Sequence, residues 1–346
     1  MMASREQVLQ VIGIKPATLS LIIRIGIVGL GWRRRRLSVP ERAGTTTICG
    51  MRTERTPVAE GVELATDQWT AADAHAAGAA DAVGAADAAP FLLVHGLASN
   101  ARTWDGVAAS LVATGHPVVS VDLRGHGRSS KPDGPYDVPT VADDLAVLIE
   151  RLGIDRPVVA GQSWGGNVVL ELAARHPDAV RGIVCVDGGW LELSRAFTDW
   201  DACRAALAPP RLAGRRFEEI DGYIRSAHCD WPDSGIRGTL ANFEVRPDGT
   251  IAPWLTFEHH IAVLRGLWEH HPSERYAGLA APALLVPVDS GETDGTRRKR
   301  GEVERAAALI PRTRVHWFTG DHDIHAQHPD ELATVMHEAA VDGFFG

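Results

Sequence analysis

Cysteine is scarce in this chain of 346 residues, and its four copies show none of the spacings of a metal site or a disulfide framework. Such usage is typical of a reducing compartment, so we expect a cytoplasmic protein. An excess of basic residues is also absent, because 44 acidic residues outnumber 35 lysines and arginines and leave a net charge of −9. This balance excludes the usual electrostatic footprint of a nucleic-acid-binding protein.

A long apolar run is missing as well. Residues 19–32 form an apolar stretch of 14 residues, interrupted by Arg24 and followed by four arginines. A membrane-spanning helix needs about 20 apolar residues, and a secretory signal has its charges before the apolar stretch. We therefore expect residues 1–50 to be an N-terminal extension, disordered or outside a domain that begins at Met51. An ordered helix on the domain and a membrane anchor are the alternatives, but no membrane association is expected.

Strand and helix patterns alternate over most of the remaining chain. Residues 56–69 predict a pair of strands, and the alanine-rich residues 71–89 predict a flexible insertion. Further strands are predicted by short apolar runs at residues 91–94, 117–121, 157–160, 180–186, 283–288 and 314–318. Helical stripes predict helices at residues 102–113, 138–152, 164–176, 296–309 and 329–341. Repeated strand–helix units imply a mostly parallel sheet of the eight-stranded type, covered by helices on both faces.

The pentapeptide Gly161-Gln-Ser163-Trp-Gly165 lies between a predicted strand and a predicted helix. This is the required context for a nucleophile elbow, in which serine occupies a strained strand-to-helix turn. Glycines two positions to either side leave room for so tight a turn. We predict that Ser163 is a catalytic nucleophile rather than part of a structural turn.

A nucleophilic serine needs a general base, and His322 is the expected one. It follows the last predicted strand and comes after the serine in the chain, as this architecture requires. His322, His325 and His328 also have the spacing of metal ligands on a helix. The elbow and the flanking Gly320 and Pro329 favour the catalytic interpretation, and neither a metal nor a cofactor is expected.

The carboxylate that orients the base is expected on the loop after residues 283–288. Asp289 directly follows this predicted strand, where the backbone is best held, and is our first choice. Asp294 and Glu292 lie on the same loop, and Asp187 follows the preceding strand. These three are the alternatives.

Stabilisation of a reaction oxyanion is expected from two backbone N–H groups. Leu97 follows the strand that ends at His95-Gly96, and Trp164 follows the serine. Both positions match those of an oxyanion hole, whereas the His95 side chain is expected to be structural.

The chain resembles the α/β-hydrolase superfamily from about residue 56 to its C-terminus. The matching motifs are HGLASNARTW (95–104), DLRGHGRS (122–129), GQSWGG (161–166) and GDHDIHAQHP (320–329). The resemblance implies a triad of Ser163, His322 and an acid, with Leu97 and Trp164 as oxyanion donors. Val288 and Gly291 depart from it, because they stand where the family has glycine and aspartate.

Other positions that match the family refine these expectations. The second motif, which contains Asp122, Arg124 and His126, is usually structural in the family. A serine nucleophile argues against epoxide hydrolases and haloalkane dehalogenases, which use aspartate.

Residues 188–281 separate two predicted strands and are too many for a loop. They contain 11 of the 21 aromatic residues, including Trp190, Trp254 and Trp268, which we predict to line a substrate pocket. The predicted organisation is thus a hydrolase core at 51–187 and 282–346, with a helical cap at 188–281 inserted between two late strands. An aromatic pocket favours an apolar small-molecule substrate.

We therefore expect a serine hydrolase that cleaves a small apolar carboxylic ester, thioester or lactone through an acyl-enzyme. A carbon–carbon bond hydrolase, an amidase and a cofactor-free haloperoxidase are alternatives on the same triad. A ligand receptor or partner-binding protein with this fold is an alternative of another class.

Overall fold

The central sheet is built from the short apolar segments that the sequence predicts as strands. The computed structural model describes residues 51–70, 88–291 and 294–346. In chain order its strands are β1 (Arg52–Ala59), β2 (Val62–Trp69), β3 (Phe91–Val94), β4 (Val118–Asp122), β5 (Val158–Gln162), β6 (Gly182–Val186), β7 (Phe243–Val245), β8 (Ile251–Pro253), β9 (Ala283–Val286), β10 (Val288–Asp289), β11 (Thr313–Val315) and β12 (Phe318–Thr319). The N-terminal extension and nearly all of the alanine-rich insertion lie outside the described residues.

Eight of these strands form one sheet in the order β1-β2-β4-β3-β5-β6-β9-β11. The pairs β1–β2 and β2–β4 are antiparallel, and the other five pairs are parallel. The predicted fold class, a mostly parallel sheet covered by helices, is confirmed. Because β3, β5, β6 and β9 are parallel neighbours, their carboxyl ends meet at one edge, where ligands bind in such sheets.

Helices cover both faces of the sheet. They are α1 (Asp105–Ala113), α2 (Val138–Leu152), α3 (Trp164–Arg175), α4 (Leu193–Ala196), α5 (Trp200–Leu207), α6 (Phe217–Ala227), α7 (Asp233–Leu240), α8 (Phe257–Glu269), α9 (Asp294–Leu309), α10 (Ile324–Gln327) and α11 (Pro329–Val341). Alternate residues of β3 belong to two different cores: Leu92 packs with α2 and α3, and Leu93 packs with α1 and α11. This two-sided burial explains why the strands read as continuous apolar runs.

The chain between β6 and β9 forms helices α4–α8 and the hairpin β7–β8. We refer to residues 188–281 as the cap segment. A third hydrophobic cluster, centred on Ile220, Ile224 and Trp231, lies within it and also includes Ala326 of the core. The boundaries of the cap as a separate domain stay a prediction.

Two predicted strands are each interrupted in the structure. Residues 283–288 divide at Pro287 into β9 and β10, and residues 314–318 divide into β11 and β12. Proline has no N–H to give to a sheet ladder, and the Pro287 carbonyl accepts a hydrogen bond from Phe318 N at 2.9 Å. Strand β10 therefore pairs with β12 in a separate two-stranded sheet.

Among residues 51–70, 88–291 and 294–346, no helix combines the length and the apolar composition that crossing a membrane requires. The apolar run at residues 19–32 lies outside that part of the chain.

Candidate active site

Ser163 occupies the turn between β5 and α3 with φ 53° and ψ −120°, a strained conformation for a residue with a side chain. Ser163 N donates to Val186 O at 2.9 Å, which holds the turn against β6. The flanking glycines are sterically required. A Cβ on Gly161 would clash with the carbonyl oxygen of Gly165, and a Cβ on Gly165 would clash with that of His95. The turn therefore has the geometry that the sequence predicts for a nucleophile elbow.

Loops from two other strand ends pack against this turn. A Cβ on Gly96, just after β3, would lie 3.1 Å from the Ser163 Cβ. A Cβ on Gly188, after β6, would clash with the Ser163 carbonyl oxygen. The chain thus brings three strand ends together around the serine.

His322 lies on the loop before α10 and pairs with a buried carboxylate. Its Nδ1 atom lies 2.6 Å from Asp187 Oδ2, and the side chains of His322 and Asp187 are 11% and 1% exposed. Gln162, the neighbour of the serine, donates from Nε2 to the His322 carbonyl oxygen at 3.2 Å. Ser163, Asp187 and His322 line the same cavity.

The prediction that Asp289 orients His322 is wrong. Asp289 accepts hydrogen bonds from Gly291 N at 2.9 Å and from Arg300 at 2.6 Å, and these contacts lower its pKa. The physical reason is the interruption at Pro287, because Asp289 belongs to β10 and follows it out of the main sheet.

Of the three alternatives for the acid, Asp187 is the one found beside His322. Glu292 and the side chain of Asp294 lie outside the described residues. The signals available in the sequence were the position of Asp187 directly after a strand and the missing family pattern around Val288 and Gly291.

Lys299 is a residue of the site that the sequence did not reveal. From helix α9 its Nζ atom donates to Asp187 Oδ1 at 2.7 Å, to Asp187 Oδ2 at 2.8 Å and to Val288 O at 2.9 Å. Asp187 Oδ1 also accepts from Val288 N at 3.0 Å. The carboxylate therefore faces donors from β10, α9 and His322.

These contacts keep Asp187 ionised in spite of its burial. Burial acts to raise the pKa of this carboxyl group, but the Lys299 ammonium and the hydrogen bonds from His322 and Lys299 hold the pKa at about 2. Asp187 is thus a fixed anion behind the His322 ring.

The two predicted oxyanion donors lie next to the serine. Leu97 follows Gly96 and lines the cavity, and Trp164 is the first residue of α3. The first N–H groups of a helix have no partner within the helix, so that of Trp164 can point toward a ligand. The Trp164 indole is buried and stacks on the His126 ring at a centroid distance of 5.3 Å.

The motif at residues 122–129 holds the loop that follows β3. Asp122 Oδ1 accepts from Ala101 N at 2.7 Å, and its Oδ2 accepts from Arg128 N at 2.9 Å. His95 Nε2 accepts from Leu123 N at 3.0 Å, and Arg124 forms a buried ion pair with Asp144. These contacts agree with the structural role expected for the motif and for His95.

A cavity of about 540 Å³ opens in front of Ser163, and most of its lining comes from the cap segment. Trp190 and Trp254 line it, as predicted. The prediction that Trp268 does so is wrong, because this ring packs against Trp200 at a centroid distance of 6.3 Å. Trp268 is on the same helical face as Leu264, and its indole extends toward α5 instead of the cavity.

The three histidines near the C-terminus diverge. His322 pairs with Asp187, His325 packs against the Trp104 ring at 4.5 Å, and His328 lies 3.5 Å from Glu331. Within residues 51–70, 88–291 and 294–346, no group of three or more His, Cys, Asp or Glu side chains has the arrangement of a metal site. The helix-spaced zinc interpretation therefore has no support in the geometry.

Comparison with known proteins agrees with the fold. A family model described as the alpha/beta hydrolase fold matches residues 89–209. The chain is 25% identical to the esterase YbfF of Escherichia coli over 70% of this chain and 90% of the relative. It is 27% identical to 2-(acetamidomethylene)succinate hydrolase of Mesorhizobium japonicum over 58% of this chain and 70% of that enzyme. Mycobacterial relatives that are 39% identical match over only 28% of their own length.

Solved structures of other proteins have the same fold. The crystal structure of E-2-(acetamidomethylene)succinate hydrolase superposes with a TM-score of 0.67 at 20% identity, covering 85% of this chain and 100% of that one. Residues 89–209 thus match the alpha/beta hydrolase family, and the described chain has the α/β-hydrolase fold.

Proposed function

We propose that the protein is a serine hydrolase that cleaves carboxylic esters, with Ser163 as nucleophile, His322 as general base and Asp187 as the orienting acid. The observation that carries the proposal is the convergence of these residues on one cavity, which is lined both by a serine on a strained elbow and by a histidine paired with a buried anion. A merely structural turn does not need this arrangement.

In the proposed mechanism each group has one step. The Nδ1–H of His322 donates to Asp187, which leaves Nε2 free to accept the Ser163 hydroxyl proton as Oγ attacks the ester carbonyl carbon. The N–H groups of Leu97 and Trp164 stabilise the resulting oxyanion. Collapse of this intermediate expels the alcohol, which takes the proton from His322 and leaves the acyl group on Ser163.

Deacylation repeats these steps with water. His322 accepts a proton from a water molecule that attacks the acyl carbon, and then returns it to Ser163 as the carboxylic acid leaves. Every proton is carried by His322, so the chemistry needs no metal or redox partner.

The cavity favours a compact, largely apolar ester. Trp190 and Trp254 line the cavity, as do the aliphatic residues Leu193, Ile224 and Leu264. Cavities of this size and composition bind small molecules rather than polymers. The esterase relative supports the same bond type, whereas a thioester or lactone would react by the same steps.

Replacing Ser163 with alanine tests the proposal. We expect Ser163→Ala to lose p-nitrophenyl ester hydrolysis and labelling by a fluorophosphonate probe while keeping the circular dichroism spectrum and melting temperature. Loss of the nucleophile leaves only the residual catalysis of the oxyanion hole and binding, so the rate should fall at least about 10³-fold.

Two results would contradict the proposal. A Ser163→Ala variant with near-wild-type turnover would exclude the acyl-enzyme mechanism. An unlabelled wild-type serine, together with no turnover of esters, lactones, amides or carbon–carbon substrates, would favour a ligand-binding protein instead.

A further inference from the structure

We propose that Lys299 is a positioning residue of this site. Its ammonium group makes protonation of the Asp187–His322 pair less favourable, and activity therefore extends to lower pH. The inference rests on the proposed triad, but it concerns a residue outside that triad. It assigns a function to the ion pair behind the histidine.

The contacts of Lys299 are with the proposed triad acid and the neighbouring strand β10. Its side chain is 7% exposed, and its three N–H groups are directed at Asp187 Oδ1, Asp187 Oδ2 and Val288 O. A lysine is rarely buried unless it is paired, because moving its charge out of water is costly. Here the cation faces the same carboxylate that His322 contacts from the other side.

The effect on the pair follows from charge alone. A proton on the pair lies either on the His322 ring or on the Asp187 carboxylate, which are in hydrogen-bond contact. A cation in contact with Asp187 disfavours both protonated forms. Since the proposed base must be neutral and Asp187 ionised, Lys299 keeps the pair in its active form at lower pH.

Other ionisable groups surround the two partners and have to be distinguished from Lys299. Asp323 and His325 lie beside His322, whereas Glu302 and Asp289 lie beside Lys299. Substitution at Lys299 leaves all four in place. A displaced pH profile is therefore attributable to the lysine, provided that loss of a nearby surface charge has no such effect.

The experiment measures kcat/KM for a p-nitrophenyl ester from pH 5 to 9, with the active fraction counted by fluorophosphonate labelling. The acidic limb of the profile is the pH range over which kcat/KM falls as the pH is lowered. In Lys299→Met we expect this limb to move upward by about 1–2 pH units, because loss of an opposite charge in contact with an ionisable group typically has an effect of this size. The rate near pH 6 then falls about 10-fold or more, and most of it returns at pH 8.5. Lys299→Arg, which keeps the charge, should retain the wild-type limb.

Arg300→Met is the matched control. Arg300 is the next residue on α9, but it pairs with Asp289, and its side chain is 42% exposed. We expect its loss to leave the acidic limb unchanged.

The proposal is overturned if Lys299→Met lowers the rate equally at every pH, since that result describes a structural role. Lys299→Gln provides a second neutral variant, and failure of both to fold while Lys299→Arg folds overturns it equally. Failure of the triad itself is recognised separately, through Ser163→Ala turnover and absent labelling of the wild type.

Discussion

Asp187 has φ 43°, and with Ala98 at 61° and Ser163 at 53° it is one of three residues around the site with a positive φ and a side chain. Such conformations cost about 1–3 kcal/mol each and persist only where neighbouring contacts fix them. At Asp187 those contacts are the bond from its N–H to Val286 O and the donors around its carboxylate. In this conformation the Asp187 carboxylate contacts His322 Nδ1 at 2.6 Å.

At this scale we predict that Asp187→Asn lowers kcat by about 10⁴-fold, because an amide in place of the carboxylate favours the wrong imidazole tautomer. Asp289→Asn is the matched control and should change kcat by less than a few-fold. Steady-state kinetics on both variants, with active sites counted by labelling, checks the assignment. A large loss in Asp289→Asn with a normal Asp187→Asn would reverse it.

At the scale of elements, the core and the cap segment contribute different parts of the candidate site. Strands β3, β5 and β6 and the last loop hold the groups proposed to perform the chemistry, which are common to acyl transfer. The cap segment supplies most of the cavity wall, including Trp190 and Trp254. Substrate preference is therefore expected to depend on this segment.

We predict that truncating these two side chains changes the acyl-chain-length preference of the proposed ester hydrolysis. Along a series of p-nitrophenyl esters, each methylene that fits should gain about 0.8 kcal/mol until the wall is met, after which kcat/KM should fall sharply. In Trp190→Ala and Trp254→Ala, kcat/KM should begin to fall at longer acyl chains than in the wild type.

Trp268→Ala is the control for this series, because the Trp268 ring packs on Trp200 away from the cavity. It should lower the melting temperature without moving the preferred length. Unchanged profiles in both cavity variants, or a preference for long-chain triglycerides, would show that the cap segment does not bound the acyl site.

At the scale of the whole molecule, burial of histidine shapes the response to acid. Burial lowers the pKa of six of the histidines in the described part of the chain, to about 4 for His260 and about 3 for His325. The other four are His95, His116, His126 and His228. The folded protein keeps these rings neutral, whereas the unfolded chain protonates them near pH 6.5.

Stability contributed by these groups is complete above pH 6.5 and is lost progressively as the pH falls toward their folded-state pKa values. Each buried histidine then costs up to about 1.4 kcal/mol per pH unit. We predict a steady decrease in the free energy of unfolding between pH 6.5 and 5, measured by urea denaturation.

His325→Phe should make this decrease shallower, because His325 packs on Trp104 and both of its ring nitrogens are buried without a hydrogen-bond partner among the described residues. The exposed His316 provides the control, and His316→Phe should leave the slope as in the wild type. A slope that is equal in all three proteins would contradict the argument.

The sequence by itself determined the features that depend on neighbours along the chain. Apolar runs and helical stripes identified the strands and helices, since burial on two faces or one face has a period that is visible locally. The elbow around Ser163 and the position of His322 were predicted from the sequence in the same way. A tight turn requires glycines at set positions, and in the superfamily the serine precedes the histidine along the chain.

Only the tertiary structure decided which carboxylate faces His322. Asp187 and Asp289 each directly follow a predicted strand, so their positions in the sequence are equivalent. The break at Pro287 takes Asp289 toward Arg300, whereas the backbone at Asp187 and the distant Lys299 hold the other carboxylate in place. Asp187 is separated along the chain by 112 positions from Lys299 and by 135 positions from His322. Contacts over such separations are made when whole elements pack together, and no local sequence pattern encodes them.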